Sequence, residues 1–356
     1  MNNKKETVFV AMSGGVDSSV VAGLLLKQGY DVVGITLTFN PIDGEDNLRW
    51  SCGGGAAENA GAVCDKLGIK HYVIDCAKEF EEAVLRPAWE TYKKGRTPSP
   101  CIHCNARIKF RIVLDKAKEL GADKMATGHY AIIEHGESPK LRRGTYARKD
   151  QTYFLFALTK EQLNFTMFPL GELQKPEVRE IARDFGFENA ERPESQDACF
   201  ATEDGNFAEA LRIRFNGDKI EGDIVTPSGE LLGRHKGIYN YTVGQRKGLG
   251  IALGHKAYVS KIDSQKNSVT LTTDINELLS DSLIADNVRF TGDVVPRFPL
   301  RCKVQIRYRS RSVDCNVTFN DDKLNIVFDE PQKAVSPGQA AVLYDGDRVL
   351  GGGWII

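Results

Sequence analysis

Two groups of side chains in this sequence have the residue types and spacing that chemistry requires. The first is the loop Ser13-Gly14-Gly15-Val16-Asp17-Ser18. Its glycines let the backbone approach an anion, and its serine hydroxyls, with that of Ser19, can donate hydrogen bonds to phosphate oxygens. It is not a Walker motif, because no lysine occurs between Lys5 and Lys27. The loop therefore predicts a phosphate site of another kind, and the alternative is a tight turn with a serine cap.

The second group consists of three cysteines in polar surroundings. Cys101 and Cys104 follow Pro98-Ser99-Pro100 at the predicted start of a helix, where the helix dipole favours a thiolate. Cys199 lies in the polar segment 194–200. Structural zinc is disfavoured, because it needs four ligands and the chain has no second Cys-x-x-Cys. The spacing therefore predicts thiol chemistry or a metal cluster.

The other cysteines divide into two kinds. Four lie within apolar patterns and are predicted to be packing residues: Cys64, Cys76, Cys302 and Cys315. Cys52 beside Gly53 is ambiguous.

Composition limits the class of protein. The chain has 356 residues, 47 Lys and Arg against 48 Asp and Glu, and 41% hydrophobic residues. That length suggests two or three domains of an ordinary globular protein. No run of about 18 apolar residues occurs and the first six residues are polar, so we expect a cytoplasmic protein without a membrane span or signal peptide. The formal charge of −1 excludes a uniformly basic nucleic-acid binder but permits local basic patches.

Hydrophobic periodicity predicts the strands and helices that would position these groups. In the first two hundred residues short apolar runs alternate with helical patterns, which predicts a parallel sheet covered by helices. The predicted strands are residues 7–11, 30–37, 70–75 and 123–127, and the predicted helices are residues 18–28, 56–67, 78–94 and 104–120. Later segments are rich in glycine and β formers. We predict a Rossmann-like α/β domain (1–205), a small mixed connector domain (206–280) and a C-terminal β-barrel (283–356).

A cationic pattern lies within the predicted barrel. Cations or glutamine occupy alternate positions from Arg301 to Arg311, with Cys302, Val304 and Ile306 between them. This alternation predicts one strand with a cationic face that binds nucleic-acid phosphates.

The phosphate loop resembles that of the PP-loop ATP pyrophosphatase superfamily, and nearly the whole chain resembles the bacterial tRNA-specific 2-thiouridylases. The resemblance rests on Ser13–Ser18, Gly95-Arg96-Thr97-Pro98, Cys104-Asn105, residues 126–130, 149–155 and 241–251, Cys199-Phe200, Arg307-Tyr308-Arg309, residues 337–340 and residues 350–353. It implies a PP-loop domain that uses ATP with Mg²⁺ to thiolate the wobble uridine of tRNA at C2.

The resemblance also implies residue roles. ATP would be bound by Ala11, Met12, Ser13, Gly14, Gly15, Val16, Asp17, Ser18, Leu37 and Gly128. The tRNA would contact Ser99, Pro100, Cys101, His129, Lys149, Asp150, Gln151, Arg307, Tyr308 and Gln339, with further contacts in the connector domain. The catalytic residues would be Asp17, Cys104 and Cys199. Cys199 would carry a persulfide whose terminal sulfur attacks C2, and Cys104 would release the product by forming a disulfide with Cys199.

One segment departs from the family pattern. Ser99-Pro100-Cys101 stands where the family has Asn-Pro-Asp, and Asn105-Ala106-Arg107 stands where it has Asn-Lys-Glu. The change adds a third thiol. A [4Fe-4S] cluster on Cys101, Cys104 and Cys199, with sulfide on the open iron, is therefore an alternative to the persulfide.

The same resemblance implies the partners, and two competing functions are alternatives to it. It implies tRNAs for Glu, Gln and Lys, and a sulfur donor that is a persulfide carrier, a cysteine desulfurase or sulfide. An alternative is a PP-loop synthetase or amidotransferase that adenylates a small metabolite, which leaves the cysteines unexplained. A third is an RNA-binding or redox-sensing module, which the intact loop disfavours.

Overall fold

The computed structural model describes residues 5–39, 49–50, 55–191, 200–201, 206–251 and 253–356. The strands of these residues are β1 (Thr7–Ala11), β2 (Asp31–Thr38), β3 (Arg49–Trp50), β4 (Lys70–Asp75), β5 (Lys124–Ala126), β6 (Ala131–Glu134), β7 (Lys140–Arg143), β8 (Thr166–Met167), β9 (Phe200–Ala201), β10 (Gly222–Val225), β11 (Leu231–His235), β12 (Tyr258–Asp263), β13 (Ser268–Thr272), β14 (Leu279–Phe290), β15 (Leu300–Gln305), β16 (Val313–Asn320), β17 (Lys323–Lys333), β18 (Ala340–Asp345) and β19 (Arg348–Ile355).

The helices of the same residues connect these strands. The α-helices are α1 (Val16–Lys27), α2 (Ala56–Leu67), α3 (Ala77–Phe80), α4 (Arg86–Lys93), α5 (Pro100–His103), α6 (Leu114–Glu119), α7 (Lys160–Phe165), α8 (Lys175–Asp184) and α9 (Phe207–Arg214). Two π-helical stretches, Glu81–Leu85 and Cys104–Val113, join α3 to α4 and α5 to α6. Short 3-10 helices occupy Ala147–Lys149, Thr152–Phe154, Glu188–Glu191, Ile238–Asn240, Ile275–Leu278 and Thr291–Asp293.

The first domain is built on a parallel sheet in the order β4-β2-β1-β5-β8. Val8 and Val10 of β1 are buried with residues of α1 and α8, whereas Phe9 packs on the other face with Phe110 and Val113. Both faces of β1 are therefore covered, which explains its continuous apolar sequence. From β1 the chain continues to β2 and β4 on one side of the sheet, and from β5 it continues to β8 on the other side. In sheets of this kind, a ligand crevice forms at the carboxyl ends of the strands where the order reverses.

Two smaller β structures follow. The connector is a mixed sheet in the order β11-β10-β13-β12, whose buried core includes Ile224, Val259 and Val269. The C-terminal sheet runs β14-β17-β16-β15-β18-β19, and pairing of β14 with β19 closes it into a six-stranded barrel. These structures confirm the predicted fold class: an α/β parallel-sheet domain, a smaller mixed sheet and a β-barrel. Among the described residues, no helix has both the length and the apolar character that a membrane span requires.

The barrel and the first domain share strands and core. The hairpin β6–β7 extends the barrel sheet, because Arg142 and Leu141 pair with Arg348 and Val349 of β19. The buried cluster on one face of the parallel sheet also contains side chains of β18 and β19, including Val342 and Val349. The sequence did not indicate this shared core, because its partners are about 200 residues apart.

The predicted cationic strand forms from Arg301 to Gln305, with Cys302 and Val304 buried, but its predicted continuation to Arg311 is wrong. β15 ends at Gln305, and the chain then turns, with Ser310 N–H donating to the Arg307 carbonyl at 3.1 Å and Arg309 at φ +65°. Two of its cations are also neutralised across the sheet. Arg301 pairs with Asp329 of β17, and Lys303 Nζ lies 2.7 Å from Asp314 Oδ2 of β16. These acids lie on other strands of the sheet, where a count of charges along β15 does not find them.

Candidate functional site

The phosphate loop lies between β1 and α1, at the carboxyl edge of the parallel sheet. Gly14 has φ +71°, and a Cβ on it would lie 2.6 Å from the Ala56 carbonyl oxygen, so only glycine fits there. The Ser13 backbone N–H donates to Ser18 Oγ at 3.1 Å. The Ser18 and Ser19 hydroxyls each donate to the Gly15 carbonyl at 3.1 Å. The loop is therefore preorganised by its own hydrogen bonds.

Ser19 differs from the expectation for it. Its side chain is completely buried and bonded to Gly15 and Asn189. It holds the start of α1 and is not placed to donate to a phosphate. The helix N-terminus itself still offers unsatisfied backbone N–H groups and a favourable dipole to an anion.

A cavity of about 230 Å³ opens beside this loop. Its lining includes most of the residues predicted to bind ATP: Ala11, Met12, Ser13, Asp17, Ser18, Leu37 and Gly128. The remaining three, Gly14, Gly15 and Val16, form the turn and first helical residue between them. Gly128 packs against α1, since a Cβ there would lie 3.0 Å from Asp17 Cβ. Residues from three strand ends thus converge on one cavity, although the ligand assigned to it stays a prediction.

One helix connects this cavity with the predicted thiols. It begins at Pro100, four residues before the predicted start at Cys104, and is π-helical from Cys104 to Val113. Lys109 and Val113 line the cavity. Cys104 is buried in a cluster with Phe39, which lines the cavity as well. Single π-helical segments recur at functional sites, where they change which side chains share a face.

His129 is buried and forms part of the wall of the same cavity. Its Nδ1 lies 2.7 Å from Thr127 Oγ1, and its ring packs between Phe110 and Phe168. Burial, with a smaller effect of the Lys109 charge, holds the His129 pKa well below its ordinary value. His129 is therefore neutral at pH 7. The predicted tRNA contact would have to be made inside the cavity, because the imidazole is not on the outer surface.

The barrel holds the segment that leads into this helix. Gln339 Nε2 donates to the carbonyls of Thr97 and Pro98 at 3.0 and 3.1 Å. The Thr97 backbone N–H donates to the Pro337 carbonyl at 2.8 Å. Ser99, the first predicted base contact, is buried. The barrel thus fixes the position of the segment before Cys101.

The other residues predicted to contact tRNA are held by contacts of their own. The Tyr308 ring is 4.3 Å from that of Phe154, and Arg307 Nη2 donates to the Lys333 carbonyl at 2.9 Å. Gln151 lines the cavity and accepts a hydrogen bond from the Tyr130 backbone at 3.0 Å. Asp150 is buried and paired with Arg143, so it stabilises the loop that presents Lys149 and Gln151.

The four cysteines predicted to be packing residues are buried, and Cys104 is buried as well, in the same cluster as Cys76. Cys64 and Cys76 are buried, and burial raises their pKa to about 11 and about 12, so both are unreactive thiols at pH 7. Cys302 and Cys315 are buried opposite each other on β15 and β16. Cys101 is half-buried and Cys104 buried. Cys52 and Cys199 lie outside the described residues, and within the described ranges no three His, Cys, Asp or Glu side chains form a metal-binding group.

Comparison with known proteins gives the family. Three family models match in order: the tRNA methyl transferase HUP domain at residues 6–203, the tRNA methyl transferase PRC-barrel domain at 213–273 and the aminomethyltransferase beta-barrel domain at 280–355. A protein of Halothermothrix orenii described as tRNA-specific 2-thiouridylase MnmA is 44% identical over 355 residues, or 98% of this chain and 99% of the relative. One of the same description from Syntrophotalea carbinolica is 44% identical and covers 100% of both chains. The chain belongs to the tRNA-specific 2-thiouridylase family.

Membership in the tRNA-specific 2-thiouridylase family confirms the resemblance seen in the sequence motifs. Among solved structures, a 4-thiouridine synthetase in complex with RNA and ATP is similar over 53% of this chain and 43% of its own, with 21% identity and a TM-score of 0.36. That likeness is too low to bear on function.

Two polar residues of this 2-thiouridylase family member were not expected in its site. Lys175 Nζ lies 2.6 Å from Asp17 Oδ1, and the lysine is buried although it begins α8. A cation at a helix N-terminus opposes the helix dipole, which is the one signal in the sequence that could have pointed to it. Asn189 Nδ2 donates to the Gly14 carbonyl at 3.1 Å and to Ser19 Oγ at 3.0 Å. No local pattern indicates this contact.

Proposed function

We propose that this protein catalyses the ATP-dependent 2-thiolation of the wobble uridine of tRNA. The observation that carries the proposal is the helix that begins at Pro100. It places Cys104 in the buried cluster that also contains Phe39, and it supplies Lys109 to the same cavity as the phosphate loop. Nucleotide chemistry and thiol chemistry would therefore meet at one wall. Family membership supports the same activity.

The nucleotide cavity would serve the first half-reaction. The C2 oxygen of uridine attacks the α-phosphorus of ATP, the bond to the β-phosphate oxygen breaks, and pyrophosphate leaves. The loop Ser13–Ser18 and the N-terminus of α1 would bind the pyrophosphate, and Mg²⁺ would offset part of its charge. Lys109 is a cation on the facing wall. Adenylation makes C2 electrophilic, because AMP is a far better leaving group than the uridine oxygen.

Two cysteines would perform the second half-reaction. The terminal sulfur of a Cys199 persulfide attacks C2, AMP leaves, and the uridine is joined to Cys199 through a disulfide. The Cys104 thiolate then attacks Cys199 Sγ, which forms the Cys104–Cys199 disulfide and releases 2-thiouridine. A thiol reductant must restore both thiols before the next turnover. The role of Cys199 rests on the family resemblance.

Nucleoside analysis tests this function. Incubation with ATP, Mg²⁺, a persulfide donor and tRNA should give 2-thiouridine in the digested RNA. The Cys199→Ala variant should give none, because the sulfur carrier is lost, while its tRNA affinity stays within about twofold of the unchanged protein. Adenylation of a small metabolite without 2-thiouridine would favour a synthetase instead, and a large loss of tRNA affinity in Cys199→Ala would contradict the catalytic role.

A cluster-bound sulfide is a second candidate for the sulfur-transfer step. Cys101 lies three residues before Cys104 on one helix, so both side chains are neighbours on its surface. With Cys199 they would hold a [4Fe-4S] cluster whose fourth iron can bind sulfide. Iron and labile-sulfide analysis after anaerobic purification distinguishes the two. Stoichiometric iron, with loss of iron and activity in Cys101→Ser, would support the cluster; a colourless enzyme that tolerates Cys101→Ser would support the persulfide.

The substrates that complete the reaction belong to the same proposal. The tRNAs would be those for Glu, Gln and Lys. A persulfide carrier or a cysteine desulfurase would transfer sulfur to the Cys199 thiol, whereas sulfide could serve only the cluster, where it binds the open iron without a change of oxidation state. Comparison of thiolation yields across purified tRNAs and donors would identify both.

A further inference from the structure

A second, larger cavity separates the helix that begins at Pro100 from the barrel. It encloses about 600 Å³, and we call it the basic cleft. Its lining includes Lys94, Arg96, Arg107, Arg111 and Arg289, with Asp286 as an acid. Arg107 and Arg111 lie two residues from Lys109, so they occupy the side of the helix that faces away from the nucleotide cavity. The cleft and the nucleotide cavity therefore flank one helix.

The cations of the basic cleft are not neutralised by neighbours. Within the described ranges, Lys94, Arg96, Arg107 and Arg111 form no ion pair, whereas Arg301 and Lys303 in the barrel do. Asp286 accepts a hydrogen bond from Asn287 at 3.0 Å, and no cation among the residues that the structure describes pairs with it. An ordinary solvated surface intersperses both signs. Like charges gathered around a concavity repel one another, and binding of an anion removes that cost.

His103 also lines the cleft, and its ring is stacked 5.1 Å from that of Trp354. The positive charge of the cleft comes from its lysine and arginines.

The arrangement suits a chain of phosphates. Arg107 and Arg111 are four residues apart, about one turn of the π-helical stretch, so their side chains lie on the same side of the helix. Arg289 comes from the opposite wall, on β14, and is exposed as the two helical arginines are. Ser99 and Gly338 line the same cleft, next to the segment that is predicted to receive the target base. We propose that the basic cleft binds the RNA backbone of the tRNA substrate beside the target uridine. The identity of the RNA rests on the proposed function.

Removal of the two helical arginines tests the cleft. In the Arg107→Ala/Arg111→Ala variant the helix should persist, since both sites are exposed and alanine is the best helix former. At about 0.1 M salt the tRNA Kd should rise roughly 25-fold, and the slope of log K against log salt should fall by about 1.4, as for two lost phosphate contacts. The ATP KM should not change. Lys27→Ala/Lys70→Ala is the matched control, because both lysines are exposed and lie at the opposite edge of the sheet.

The possible results test the RNA-binding role of the basic cleft independently of the proposed thiolation activity. An unchanged tRNA Kd and salt slope in the arginine variant would overturn the proposal. Weakened binding of inorganic phosphate or ATP in place of RNA would also overturn it, because the ligand would then be a small anion. Binding is measured without turnover. If the unchanged protein makes no 2-thiouridine but the variant still loses RNA affinity, the cleft stands and the proposed function fails.

Discussion

At the scale of single residues, the site depends on a buried charge that balances the phosphate loop. Asp17 Oδ1 accepts hydrogen bonds from Lys175 Nζ at 2.6 Å and from the Tyr130 hydroxyl at 2.9 Å. The carboxylate is thereby compensated beside a loop that is built to bind an anion. Without that compensation, Asp17 would repel the phosphates that the loop and the helix dipole attract.

The Lys175→Met variant measures this compensation. We expect the KM for ATP to rise roughly tenfold, or about 1.4 kcal/mol, because the charge of Asp17 is left facing the phosphates. Asp17→Asn/Lys175→Met should recover much of the loss. Arg183→Met, on the same helix but in an exposed pair with Glu191, should leave the KM unchanged. An unchanged KM in Lys175→Met, in a protein with a normal Tm, would show that the ion pair is only structural.

At the scale of elements, the sequence predicted those helix and strand boundaries that are set by hydrophobic periodicity and by glycines. Strand β1, helix α2 and strand β4 begin and end where the periodicity and the following glycines indicated, as at Gly68, which has φ +67°. The π-helical register after Cys104 was not predictable, because α- and π-helices share their side-chain preferences. It nevertheless decides that Lys109 reaches the cavity. The interruption after Gln305 depends on tertiary bonds, such as that from Arg307 to Lys333, which the sequence does not encode locally.

The candidate site was also predictable only in part. The phosphate loop and Gly128 could be assigned because a motif specifies their spacing, and seven of the residues predicted to bind ATP do line the cavity. Lys175 and Asn189 could not be assigned, since each is more than 150 residues from its partner in the loop. Contacts of that kind follow from the packing of α8 and the 3-10 helix Glu188–Glu191 on α1.

At the scale of the whole molecule, the barrel positions the segment of the first domain that leads to the predicted catalytic residue Cys104. Gln339 spans the junction with two hydrogen bonds to the segment before Cys101, and Tyr153 adds a bond from its hydroxyl to the Ala340 carbonyl at 3.0 Å. The Gln339 side chain is predicted to contact tRNA, but its amide nitrogen is already committed to Thr97 and Pro98. It is therefore expected to act chiefly as a positioning residue.

Kinetics of Gln339→Ala distinguish positioning from RNA contact. We expect kcat for thiolation to fall about tenfold because the segment before Cys101 loses its orientation. The tRNA Kd should stay near that of the unchanged protein, and the lost hydrogen bonds should cost about 1 kcal/mol each in unfolding free energy. Gln332→Ala, which removes a similar side-chain bond on β17, is the control. A raised tRNA Kd with normal kcat would instead identify a direct RNA contact.

The hairpin β6–β7 also affects how the protein is made. Its partner strand, β19, lies about 200 residues further along the chain. During synthesis at roughly 5–20 residues per second, the hairpin edge stays unpaired for about 10 s or longer. An unpaired edge can pair with other chains, and non-local pairing of this kind is slow. The charged side chains of Glu134, Lys140 and Arg142, which pair with one another across the hairpin, would keep that edge soluble until β19 emerges from the ribosome.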